Sequence, residues 1–195
     1  MRRFLQLATL AAFLAPTAAL AHVGVGNSSG FMHGFMHPLR GLDHQLAMIL
    51  VGVFAYQLGG RALWLVPLTF VSVMALGGFL GVAGIPVPFV EIGIALSVIV
   101  LGAVVAFGVK APLAEAMGAV GLFAIFHGHA HGSEMPLDAS GFEYGIGFML
   151  ATAALHSVGI SFLIGVSGRT FGNNVYRLAG GLASVAGVAL LLGYV

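Results

Sequence analysis

Apolar positions along the chain fall into long continuous blocks and do not alternate with polar ones. After residue 21, six such blocks cover residues 37–58, 62–83, 86–109, 112–131, 142–167 and 174–194. Each approaches the ~20 residues that a helix needs to cross a bilayer. Continuous runs of this kind argue for helices and against a transmembrane barrel, whose strands alternate. The links are mostly short, reading GGRA (59–62), AGIP (83–86), VKAP (109–112), HGSEMPLDASG (131–141) and SGRTFGNN (167–174). Short links make successive helices antiparallel. The expected fold is therefore an all-α integral membrane protein with a six-helix transmembrane bundle over residues 22–195.

The first 21 residues, MRRFLQLATLAAFLAPTAALA, read differently. Arg2 and Arg3 precede an apolar run, then Pro16, then Ala19-Leu20-Ala21, which fits a signal-peptidase site. Cleavage there makes His22 the mature N-terminus, on the periplasmic side. Arg61, Lys110, Arg169 and Arg177 then all fall on the inner side, while Glu134, Asp138 and Glu143 fall outside. That is a positive-inside distribution, and it agrees with the signal peptide. The pattern predicts a multi-pass protein of the bacterial inner membrane with both mature termini in the periplasm.

Composition narrows the class further. Of 195 residues, 59% are hydrophobic and 7% charged, with a mean hydropathy of +1.07. A soluble domain carries about 25% charged residues, so this chain needs lipid around it. Thirty glycines suit close helix packing in a membrane. Without cysteine there is neither a disulfide nor a thiolate metal site. A net charge of +1 gives no reason to expect nucleic acid as a partner.

The ionisable residues inside the apolar blocks carry the chemistry. His37 and His44 are seven apart and His33 precedes His37 by four, so a helix through all three would place them on one face. Asp43 lies beside His44, and an aspartate in a spanning helix costs roughly 2.5–3.5 kcal/mol to insert. In FHGHAHGSEMP, His127 and His131 are four apart and share a face, His129 points elsewhere, and Glu134 follows at the outer rim. His156 is alone in the fifth block, where a helix–helix hydrogen bond and a metal role both fit. Glu91, near the outer end of the third block, is expected to pair with Arg40 or to sit in the outer headgroup region. Imidazole with a carboxylate suits nickel, cobalt, zinc or copper, whereas magnesium and calcium want more oxygen. The partners expected are thus a divalent metal ion and the bilayer. Without a P-loop the chain cannot drive transport with ATP by itself, and no ATPase subunit is evident.

HPLRGLDH at 37–44 resembles the H-P-x-x-G-x-D-H signature of the HupE/UreJ family, and FHGHAHGSEMP at 126–136 is similar to that family's second signature. The resemblance covers the whole chain, including the signal peptide, the histidine directly after it and the six helices. It implies a nickel, in some cases cobalt, permease that supplies hydrogenase or urease assembly and is not an enzyme. It implies further that His37, Asp43 and His44, with His127, His131 and Glu134, are the metal residues, the ion being cargo and not a cofactor. His22 is then placed to collect the ion outside. The competing reading of the same residues is an intramembrane zinc-dependent hydrolase.

Overall fold

The structure, a computed structural model, describes residues 30–135, 140–166 and 172–193. The signal segment 1–21, His22, Asp138 and Arg169 lie outside the described residues. The regular structure among them is helical throughout. A short α1 (Gly30–Met36) leads into a 3₁₀ turn (His37–Leu39), followed by α2 (Leu42–Leu58), α3 (Ala62–Val82), α4 (Val90–Phe107), α5 (Leu113–Ser133), α6 (Gly141–Val166) and α7 (Gly172–Leu191).

Helices α3 to α7 are each long and apolar enough to cross a membrane. At 17 residues, α2 is apolar but shorter. At 1.5 Å per residue it spans about 25 Å, against a hydrocarbon core of ~30 Å. Its position compensates, because it is the central helix. Ala47, Met48, Val51 and Ala55 are fully buried, and α2 packs against α6, α4 and α3. The outer faces of the other helices carry exposed Leu76, Phe79, Leu122 and Leu178, which lipid covers in place of water.

The first block does not form the single helix expected from residue 37. Pro38 sits in the first turn of the 3₁₀ segment, which closes with Arg40 N–H donating to the His37 carbonyl. Gly41 is then extended (φ −92°, ψ 123°) and serves as N-cap of α2. A proline has no N–H to continue a helix, and an extended residue ends the α hydrogen-bond series. His33, His37 and His44 therefore lie on three successive pieces of chain and not on one helical face.

The largest helix contact joins α3 to α5. Glycines make it possible from both sides. A Cβ on Gly77 or Gly81 would strike the backbone of α5 at Ile125 or His129, and one on Gly128 or Gly132 would strike α3 at Met74 or Gly78. Close backbone approach of this kind is how membrane helices gain van der Waals contact. The bundle has two chemically distinct ends. Arg61 and Lys110 line one cavity between the α2–α3 and α4–α5 links. Lys110 Nζ donates to the Gln57 carbonyl, and Arg177 donates to that of Phe107 at 2.9 Å. His37, Glu134 and the α3–α4 link lie at the opposite end.

Candidate metal path

α5 runs unbroken to Ser133, so His127 and His131, one turn apart, present their rings to the same side. The 3₁₀ turn and the start of α2 bring His37 and His44 up against that side. His37 Nε2 lies 3.1 Å from Glu134 Oε2. Together His37, His131 and Glu134 offer three ligand atoms within 4.8 Å of one another. From there the rings follow in contact. Centroids are 4.6 Å apart for His37 and His131, 4.2 Å for His131 and His44, and 4.7 Å for His44 and His127, all near edge-to-face.

Exposure drops from the outer pair of this series to its three buried inner rings, of which His44 is 8% exposed. The Glu134 side chain is 61% exposed and that of His37 27%, whereas His131 and His127 are 3% and 0% exposed. The line therefore runs from the surface into the bundle. Tyr144 and Phe148 of α6 wall its outer part, Phe148 lying 4.1 Å from the His131 ring centroid to centroid. His131 also meets an apolar cavity of about 270 Å³ between α3, α5 and α6, lined in part by Tyr144, Phe148, Met74 and Met149.

Free ring nitrogens are what make the series chemically competent. A buried polar atom without a hydrogen bond is costly. Yet among the described residues His44 Nε2, His127 Nδ1, both nitrogens of His131 and His156 Nε2 are buried with no partner, as is Nδ1 of His129 off the path. The other nitrogen of His44 is held. Asp43 Oδ1 accepts from both its Nδ1 and its backbone N–H at 2.7 Å. In the neutral ring a carboxylate can only accept, so Nδ1 carries the proton and Nε2 is the bare lone pair. A carboxylate that orients an imidazole in this way is the usual support of a metal-ligating histidine. Asp43 thus touches the series through His44. Its side chain also lines a separate cavity of about 230 Å³ with Glu91 and Leu190. Among the described residues, neither Glu91 nor Arg40 joins an ion pair, and nothing in the structure explains Arg40.

His156 sits deeper. Its Nδ1 donates to the Met48 carbonyl at 2.7 Å, tying α6 to α2. Phe70 separates it from His127, with centroids 5.2 Å from His156 and 5.7 Å from His127. His129 points away, its Nε2 donating to the Ile85 carbonyl at 2.9 Å.

Several contributors were not read from the sequence. Ser97 on α4 bonds His127 Nε2 at 2.8 Å. A lone serine in an apolar helix ordinarily bonds its own backbone, so it gives no signal. Nothing in the sequence separates Tyr144, Phe148 and Phe70 from ordinary packing residues. Gly41 was visible as a motif position, but its purpose needs coordinates. A Cβ there would lie 2.6 Å from Asp43 Oδ1 and 3.1 Å from His44 Nδ1.

A family model described as "HupE / UreJ protein" matches residues 10–190. The chain is similar to Protein HupE of Rhizobium leguminosarum bv. viciae, with 49% identity over 185 residues that cover 95% of this chain and 96% of that one. No solved structure matches.

Proposed function

The chain belongs to the HupE/UreJ family, and from that premise we propose that it is a secondary transporter, not an enzyme. It brings divalent nickel or cobalt across the bacterial inner membrane for hydrogenase or urease assembly. The mature termini lie in the periplasm, and the basic end of the bundle faces the cytoplasm. The observation that carries this reading is the descending line of imidazoles from Glu134 to His127, with bare buried nitrogens along it.

In this reading His22 and Glu134 collect the hydrated ion. His37, His131 and Glu134 replace part of its water, and His44, held by Asp43, and then His127 take it inward. His156 offers the next nitrogen beyond Phe70. Ligands that are few and mostly neutral bind the ion firmly enough to select it and loosely enough to release it. The membrane potential supplies the drive. A divalent ion crossing ~100 mV gains about 4.6 kcal/mol, enough for roughly a thousandfold accumulation.

Purified protein in liposomes carrying an inside-negative potential tests this. Radioactive nickel accumulates in the vesicles and disperses when the potential is collapsed. A protein that holds stoichiometric metal and moves none would refute transport and leave the zinc hydrolase.

A further inference from the structure

The side chain that bonds the deepest ring of the path, His127, is Ser97. We propose that Ser97 is a positioning residue, which makes Nδ1 of His127 the ion-facing nitrogen by holding the proton on Nε2. The inference rests on the transport reading above and deepens it.

Ser97 is fully buried in α4. Among the described residues its Oγ has two hydrogen-bond partners, the Ile94 carbonyl at 2.6 Å and His127 Nε2 at 2.8 Å. A hydroxyl has a single proton to give. A carbonyl can only accept, and two oxygens 2.6 Å apart repel unless a proton lies between them. The Ser97 proton is therefore on the bond to Ile94. The contact with His127 is then a hydrogen bond only if Nε2–H donates into Oγ. The neutral ring has one N–H, so Nδ1 is bare. It is also buried and, among the described residues, without a partner.

The arrangement repeats the logic of Asp43 and His44 with the nitrogens exchanged. Asp43 holds Nδ1 and frees Nε2, whereas Ser97 holds Nε2 and frees Nδ1. The two supports come from different elements, one within α2 and one from α4. A neutral hydroxyl suits the deeper position, where a second carboxylate would trap a divalent ion instead of passing it on.

Paired substitutions at 127 separate a ligand from a structural bond. An asparagine places a polar atom near the position of histidine Nδ1, and a glutamine near that of Nε2. Uptake of radioactive nickel is measured in proteoliposomes and normalised to inserted protein. His127→Asn is expected to keep measurable transport and His127→Gln to lose it, although glutamine preserves the contact with Ser97. Ser97→Ala is expected to lower uptake by about tenfold or more, the usual effect of removing the partner of a metal-binding histidine. In the wild-type protein, ¹⁵N spectra of labelled histidine, assigned by difference from His127→Asn, show the His127 proton on Nε2. A proton on Nδ1, or transport by the glutamine variant above that of the asparagine variant, overturns the assignment while leaving the transport reading intact. A wild-type protein that moves no nickel removes both.

Discussion

The two histidine segments reach the same place by opposite means. Residues 127–133 lie on one regular helix, with Glu134 as its C-cap, and the helix's 3.6-residue period alone puts His127 and His131 on one side. Residues 37–44 bend through a 3₁₀ turn and an extended glycine before a new helix begins. The first segment thereby delivers two rings from two pieces of chain, with a carboxylate bound to one of them. A regular helix can offer ligands only at its own spacing. A broken one can place a ring, its support and a neighbouring ring independently. The consequence is a division of labour: α5 is the fixed rail, and the 37–44 segment sets protonation and position against it.

The largest expected effect comes from removing charge or ligand at the junction of the two segments. Asp43→Asn keeps the size and an accepting oxygen, but it loses the negative charge and the certainty that His44 presents Nε2. His131→Ala removes the ring that touches both His37 and His44. Each is expected to bring normalised nickel uptake in cells to background, with the protein still inserted, since Asp43→Asn eases insertion. Near-normal uptake per molecule by either variant would mean that the cluster is a structural polar knot.

Alanine at one glycine of each segment sharpens the contrast. At Gly128 a Cβ would meet the Met74 carbonyl, which is backbone and cannot turn aside. Gly128→Ala should separate α3 from α5 and reduce folded protein, at a cost of about 1–3 kcal/mol. At Gly41 the nearest atoms are the tip of Asp43 and the His44 ring. Its φ of −92° suits alanine as well as glycine, and such a replacement ordinarily stabilises by roughly 0.4–1 kcal/mol. Gly41→Ala is therefore expected to keep or raise protein level and yet lower uptake about tenfold by displacing Asp43 from His44. Thermal melting of the two purified variants, set beside uptake per molecule, checks the pair. Equal losses of stability would erase the distinction drawn between rail and support.

That difference also explains what could be read from the chain beforehand. Apolar blocks located the spanning helices to within a few residues, because lipid makes their hydropathy continuous. The spacing of His127 and His131 was informative because α5 is regular. The geometry of 37–44 was not, since a helix through His33, His37 and His44 fits the spacing equally well and only Pro38 and Gly41 hint at a break. The family was legible from two short motifs together. Ser97 and Phe70 were not legible, because their contacts come from helices 30 or more residues away in sequence, and a single chain carries no signal of such pairing. His22 and the signal segment remain expectations of the sequence, outside the described residues.

The smallest expected effect belongs to His129, the histidine of the second motif that the regular helix turns away from the path. Its Nε2–H closes onto the Ile85 carbonyl in the link between α3 and α4. His129→Ala therefore removes one neutral hydrogen bond, worth about 0.5–1.5 kcal/mol, and leaves every ring of the path in place. Nickel uptake per inserted molecule should stay within about twofold of wild type, while the purified protein melts a few degrees lower. His129→Gln, whose amide can still reach a carbonyl, should recover part of the stability and leave uptake unchanged. Loss of uptake comparable with that of His131→Ala would show that α5 does not sort its histidines by helical face. The idea of a fixed rail would then have to be given up for one in which the end of α5 unwinds during transport.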